Sequence, residues 1–363
     1  MNLKNIYKSF NWTLFLPAFL LTCFGLISIY SSSIQRNNFL SFKKQLIYFF
    51  ISLLILCFIN LLDLRFLKSN SRIVFIFYVC SLVALCGLIF LAPAIRGVKG
   101  WYQLGPVSLD PVPLSAIVLI IVLAKYFSSR HIELQRFRLI LFSGIYASLP
   151  IVLILLQPDL GSALTLIAVW IGILIFSGIK LKHLFVLGLI FFVLFLVAWK
   201  FWLADYQKQR ILSFFNPQLD QQGVSWSVNQ SKIAIGSGGF YGKGLGNGTQ
   251  TQYGFLSEPK TDFIFSAIAE EFGFLGCFLI FCFLFWLLYE ITKIAFMAQN
   301  NFLRLFASGF SFLILSQIFI NIGMCVGLFP VVGLPLPFVS YGGSQIFSFY
   351  AGLGILMSLQ KTY

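Results

Sequence analysis

HLFVLGLIFFVLFLVAWKF, residues 183–201, carries an ionisable residue near each end, His183 and Lys200, and none between them. An uninterrupted apolar run of about 20 residues is long enough to cross the hydrocarbon core of a bilayer as a helix. Working outward from it, further runs of the same kind lie at 12–32, 44–62, 73–94, 112–127, 139–156, 160–178, 262–290, 303–327 and 344–360. The chain is 59% apolar and 10% charged. Soluble domains carry about 25% charged residues, so there is too little polar surface here to face water. These readings predict an all-α integral membrane protein of about ten transmembrane helices, a single membrane domain over residues 1–363. The first run has no small-residue cleavage site after it and is expected to stay in the mature protein.

Charge then orients the spans. The net charge is +14, but the basic residues sit in short loops between apolar runs, which points to topology and membrane lipid headgroups rather than nucleic acid. Fourteen Lys and Arg, among them Lys4, Lys8, Arg65, Lys68, Arg72, Lys125, Arg130, Arg136, Arg138 and Lys361, fall on one side. The opposite short loops hold five: Arg36, Lys43, Lys44, Arg96 and Lys99. The richer side, with both termini, is therefore expected in the cytoplasm. The seven cysteines all fall inside apolar runs and read as small core residues.

One connection is far longer than the rest. Residues 202–261 form an extracytoplasmic loop between the seventh and eighth spans, rich in glycine from Gly236 to Gly248, and loops of that length are usually functional or disordered. The only histidines, His131 and His183, fall on the inner side, which excludes an outer Ser-His-Asp triad or histidine metal site. The glycine run is no Walker A loop, since Ser237 stands where that motif needs glycine and Gly244 where it needs Ser or Thr.

Eleven carboxylates remain. Asp63, Glu133 and Glu290 read as solvated inner charges; Asp110 and Asp205 also read as solvated. Glu270 and Glu271 fall inside the eighth span, where intramembrane acids suggest function or an internal pairing role in packing. Adjacent residues point roughly 100° apart on a helix, so at most one need face a cavity. Asp159, in the turn QPDLGS at 157–162, and Asp262, at the start of the eighth span, are each candidate helix N-caps. Among the outward cations Lys200, Lys208, Arg210, Lys232, Lys243 and Lys260, a diphosphate ligand or a headgroup-facing charge are alternative readings. Arg210 suits bidentate contact best. Trp101 in the loop 95–111 reads as an interfacial anchor.

In these loops the chain resembles the SEDS family, which comprises RodA, FtsW and sporulation relatives. The residues that carry the likeness are QSKIAIGSGGFYGKGLGNGTQTQYGFLSEPKTDFIFSAIAEEFGFLG at 230–276, NIGMCVGLFPVVGLPLPFVSYGGS at 321–344, LLQPDLGSAL at 155–164 and YQKQRI at 206–211. GTQTQ at 249–253 and PVVGLPLP at 330–337 lean toward RodA. The resemblance implies ten transmembrane helices and a glycosyltransferase that polymerises lipid II, the undecaprenyl-diphosphate-linked disaccharide peptide. It also implies a class B penicillin-binding protein transpeptidase as partner, and makes Asp262, in TDFIF, the catalytic acid. There are departures: where the family reads close to RW…LG…QPSExxK, this chain has Gly100, Asp110, Val112, Pro113 and Ala116, losing a paired acid and base from the fourth span. Lys260 and Ser257 replace a common His and Pro.

The expected reaction is attack of a sugar 4-hydroxyl on an anomeric carbon bearing a lipid diphosphate, at the outer face of the bacterial cytoplasmic membrane. Asp262 is the expected base, and Arg210, Lys232 and Lys243 are the diphosphate candidates. Trp101, Asp159, Glu258 and Glu271 are the remaining substrate-contact candidates. A divalent cation, Mg²⁺ or Mn²⁺, would share the charge, though the sequence shows no dedicated cage and no certain cofactor. The competing readings are a flippase for a lipid-linked precursor and a catalytically weakened scaffold of the elongation machinery.

Overall fold

An apolar segment in a bilayer must satisfy its own backbone N–H and C=O groups, and a helix does so within the segment. The computed structural model describes residues 10–34, 37–93, 100–105, 107–129, 137–201, 205–216 and 223–361. The sequence readings at Lys4, Lys8, Arg36, Arg96, Lys99, Arg130, His131, Glu133, Arg136 and Asp220 lie outside the described residues.

Among the described residues, eight helices are long and apolar enough to cross a membrane. They are α1 (Trp12–Ser31), α2 (Leu40–Leu61), α4 (Ser71–Leu91), α6 (Phe137–Leu155), α7 (Leu160–Ser177), α8 (Leu181–Phe201), α12 (Ile264–Met297) and α13 (Asn301–Val326). A short helix, α3 (Arg65–Ser69), precedes α4. The other two expected spans are also helices, α5 (Val112–Ser128) and α14 (Gly343–Lys361). The first is shorter and the second more polar, and most of each is buried in the bundle. Protein rather than lipid covers them, so their surfaces can include Ser115, Gln345, Ser348 and Ser358.

Packing is tight where small residues let backbones approach. Gly309 of α13 lies against Ile120 of α5 and Ile173 of α7, and Gly354 of α14 lies against Ile59 of α2. Tyr350, fully buried, shares a 3.0 Å hydrogen bond with Thr22 of α1. By contrast, α8 has almost no buried residues.

The region 202–261 is not an open loop. It contains α9 (Asp205–Phe215), α10 (Val224–Gly238) and α11 (Thr249–Gln252). A small antiparallel hairpin, β1 (Tyr102–Leu104) and β2 (Val107–Leu109), is the one exception to an all-helical fold among the described residues. Its Tyr102 hydroxyl donates to the Ala84 carbonyl of α4.

The helix ends sort into two sets. At one end, Asn11 bonds Gln360, Thr13 bonds Glu290 and Lys361 bonds the Asn60 carbonyl. At the other, Ser33 bonds Lys260, Ser31 bonds Glu271 and Asp110 bonds Ser344. The charge pattern assigned these same two groups to opposite sides.

Candidate active site

Residues 330–344 turn between α13 and α14, and this segment organises the second end. Three consecutive carbonyls just before α12 are each held by a donor from the segment or from α13. Lys260 O accepts from Tyr341 N–H (2.8 Å), Thr261 O from Ser340 Oγ (2.7 Å), and Asp262 O from Asn321 Nδ2 (3.0 Å). Asn321 also donates to Leu334 O at 2.7 Å, tying the two strands together. The Asp262 carboxylate lies half-buried over Gly333, where a Cβ would sit 3.6 Å from Oδ2.

Asp262 does not stand at the cap position of the helix. α12 begins at Ile264 with Phe263 in the cap position, which makes no side-chain cap bond. Asp159, in contrast, does cap: it is the N-cap of α7 and accepts from Ser162 N–H (3.0 Å) and Ser162 Oγ (2.6 Å). Burial raises its carboxyl above the ordinary range, against the Ser162 bonds and the nearby Arg210 guanidinium. Asp110 was read as solvated, but burial pushes its carboxyl up to about 7 despite the Val112 N–H, with the Asp159 charge adding to the rise.

Arg210 of α9 and Lys232 of α10 line one cleft together with Ser213, Asn229, Phe329 and Val331. Arg210 Nη1 points at Val331 O at a long 3.4 Å, and the Lys232 ammonium lies against Gly327, the left-handed C-cap of α13. Lys243 does not join them. Its ammonium is 2.9 Å from Glu270, whose side chain is fully buried. A buried carboxylate needs a partner, and Lys243 supplies it, apart from the Arg210–Lys232 cleft.

Glu270 accepts from Lys243 Nζ, Thr249 Oγ1, Gln250 N–H, Thr251 N–H and Thr251 Oγ1. Glu271, also buried, accepts from Ser31 Oγ (2.7 Å) and Gln252 Nε2 (3.1 Å). Both adjacent acids therefore grip the glycine-rich loop, and Glu271 tethers the chain rather than lining an open substrate surface. Of the two readings offered for these acids, internal pairing describes both, because the loop wraps over them.

That wrapping splices the loop into α12. Gly273 breaks the helix at φ 64°, ψ −158°. The Glu270 and Glu271 carbonyls accept from Lys243 and Gly244 N–H at 3.0 Å each, while Phe274 and Leu275 N–H donate to Gly239 O (2.9 Å) and Phe240 O (3.2 Å). Glu258 has φ 46°, and its carbonyl closes the turn before α12 by accepting from Thr261 and Phe263 N–H. Trp101 is half-buried beside β1 and is not among the residues lining the Arg210–Lys232 cleft.

Among the described residues, no group of three His, Cys, Asp or Glu side chains stands ready to hold a metal ion. Asn321 and Ser340, which hold the backbone at Asp262 and Thr261, and Asp110, bonded to Ser344, are contacts that the sequence does not single out. The first two lie within 321–344, already one of the most distinctive stretches, but their role as backbone clamps depends on a contact 59 to 79 residues away in sequence.

Comparison with known proteins places this geometry. A family model described as cell cycle protein, FtsW/RodA/SpoVE, matches residues 11–363. The peptidoglycan glycosyltransferase MrdB of Escherichia coli K12 is 34% identical over 282 residues, covering 78% of this chain and 76% of its own. A probable peptidoglycan glycosyltransferase FtsW of Trichlorobacter lovleyi is 34% identical over 366 residues, covering 96% and 93%. Among solved structures, a chain of a peptidoglycan synthase complex that coordinates polymerization and crosslinking superposes with a TM-score of 0.82 at 26% identity, covering 97% and 98%. The rod shape determining protein RodA of Thermus thermophilus gives 0.73 at 27%, covering 98% of each chain.

Proposed function

We propose that this chain, which belongs to the FtsW/RodA/SpoVE family of cell cycle proteins and is a multi-pass membrane peptidoglycan glycosyltransferase, polymerises lipid II with Asp262 as its general base. The observation that carries the reading is the backbone under Asp262. Three successive carbonyls are clamped from outside the helix, so the residue that bears the carboxylate is held at a fixed place just ahead of the helix.

In the reaction, the acceptor sugar 4-hydroxyl attacks the anomeric carbon of the donor. The new C–O bond forms as the bond to the diphosphate breaks, the electron pair leaves with the diphosphate, and Asp262 takes the hydroxyl proton. Arg210 and Lys232 stabilise the negative charge on the departing diphosphate. Asp159 holds Arg210 in place by charge. A divalent cation would have to draw further ligands from substrate oxygens, as Mg²⁺ commonly does at phosphate sites, and no step above requires it.

The site end of the bundle faces outward from the bacterial cytoplasmic membrane, with both termini inside, and a class B penicillin-binding protein crosslinks the product. The transporter reading leaned on Glu270 and Glu271, and both are occupied in holding the loop. The test is glycan synthesis from lipid II by the purified protein, alone and with its transpeptidase. Strand formation by the wild type and none by Asp262→Asn is the expected result. Lipid II movement across vesicles without strand formation would replace this reading with the flippase.

A further inference from the structure

Residues 339–342, just ahead of α14, are non-helical, and backbone of that kind between membrane helices must find its partners elsewhere. Gln45 of α2, 1% exposed, supplies two of them. Its Nε2 donates to Ser340 O at 3.3 Å and its Oε1 accepts from Gly342 N–H at 3.1 Å. A carboxamide offers a donor and an acceptor side by side, which matches a carbonyl and an N–H from the same stretch. The flanks leave no slack. Gly25 of α1 lies directly against Val339 O, and a Cβ at Gly343 would meet the Tyr48 ring at 2.6 Å. From this stretch the bonds run on to the backbone at Asp262: Ser340 Oγ donates to Thr261 O, and Tyr341 N–H to Lys260 O. Ser340 carries both ends of the path, its carbonyl taking the bond from Gln45 and its hydroxyl giving the bond to Thr261.

We propose that Gln45 is a positioning residue for glycosyl transfer: it fixes residues 340–342 and, through them, the place of Asp262. The inference rests on the reading of Asp262 as the base of a polymerase. Without the amide, Ser340 O and Gly342 N–H lose their partners in a buried setting, and the stretch shifts to find others. The backbone at 260–262 moves with it. A misplacement of about 1 Å at a reacting group costs turnover up to about 10²-fold. A residue that merely stapled α2 to α14 would behave differently, and the molecule supplies the comparison. Ser358 staples the same pair near its other end, about 20 Å along α14 from Gly343, its Oγ donating to Leu62 O at 2.6 Å.

The test uses the full-length protein in lipid nanodiscs. Gln45→Met is similar in size and removes both bonds; Gln45→Asn keeps the amide one methylene short and serves if the Met variant does not fold. In lipid II titrations, Gln45→Met is expected to lower kcat about ten-fold or more, with KM within about twofold of wild type. Ser358→Ala is expected to leave kcat unchanged whatever its melting temperature. Ser340→Ala breaks the same path, so adding it to Gln45→Met should cost little beyond the larger single effect. Hydrogen exchange read by mass spectrometry is independent of activity: peptides covering 336–344 and 258–263 should exchange faster in Gln45→Met and not in Ser358→Ala. The proposal is overturned by wild-type kcat in the folded variant, an equal loss in Ser358→Ala, fully multiplied effects in the double variant or unchanged exchange at 258–263. Failure of both Gln45 variants to fold also overturns it, since Gln45 is then a staple of the fold. A wild type that makes no glycan sinks the polymerase reading, and the exchange result alone then decides the linkage; a glycan-making wild type with an unaffected Gln45→Met sinks this inference alone.

Discussion

At Asp262 the proposed base and the clamped backbone can be tested apart. The sequence left this residue between a helix cap and a base, because both roles put an acid just before an apolar run. In the structure the helix starts two residues later, at Ile264, and the bond from Asn321 falls on the Asp262 carbonyl. Asp262→Asn keeps that carbonyl and removes the base. We expect normal insertion and an unchanged melting temperature, with glycan synthesis from lipid II reduced by about 10²–10⁴-fold. A variant within twofold of wild type would move the base elsewhere. The neighbouring acids make a contrast of their own. Glu270→Gln puts an amide NH₂ among five donors and leaves Lys243 unpaired, so it should lower stability by about 3 kcal/mol or more. Glu271→Gln should cost much less, since one of its carboxylate oxygens has no described partner and tolerates the change. Melting of the two purified variants in one detergent decides this, and equal shifts would show that the loop does not depend on Glu270. For Trp101, an aromatic platform predicts that Trp101→Ala lowers activity more than Trp101→Phe, whereas an interfacial anchor predicts little change from either.

Among the elements, the spans were legible and the splice was not. Hydropathy located every membrane helix because lipid contact imposes a long uninterrupted signal. It missed α9 and α10, whose residues are too polar for that signal and too short for a clear helical period, and it missed the hairpin for the same reason. The glycines from Gly236 to Gly248 were visible, but residue identity does not say which of them sit at positive φ. Gly242 does, at 81°, and so does Gly273, whereas Gly236 lies inside α10 with open space around it. This distinction gives opposite outcomes for one substitution. Gly273→Ala places a methyl against Gly242 N and Phe240 O in a backbone region that costs other residues about 1–3 kcal/mol, so the melting temperature should fall. Gly236→Ala should raise stability by about 0.4–1 kcal/mol, because it restricts the unfolded chain at no steric cost. A rise for Gly273→Ala would mean the splice is not held in solution.

Over the whole molecule, alternation of charge predicted which helix ends lie together, and the hydrogen bonds between those ends agree with it. Sequence alone could do this because loop charge acts on topology one span at a time. It could not foresee that Asp110, Asp159, Arg210 and Asp262 gather at one end of the bundle, since they come from three separate connections, each of which touches residues 331–344. The orientation itself is testable with single cysteines in a background lacking the native seven. Ser227→Cys should react with an impermeant thiol reagent added outside intact cells, and Ser129→Cys should react only after lysis. The reverse pattern would turn the molecule over.

The break at Gly273 divides α12 into an outer piece of nine residues, Ile264 to Phe272, and an inner piece from Phe274 to Met297. At 1.5 Å per residue the inner piece alone is about 36 Å long, already enough for a typical hydrocarbon core of about 30 Å. The outer piece, fixed to the segment over which Asp262 lies, is therefore free of the task of spanning. Hydrophobic mismatch from thicker or thinner membranes is then expected to fall on the inner piece, through its tilt, and to leave the end that carries Asp262 unchanged. Polymerisation in vesicles of graded acyl-chain length should accordingly stay nearly flat for the wild type, and become steep in a variant whose α12 runs straight through.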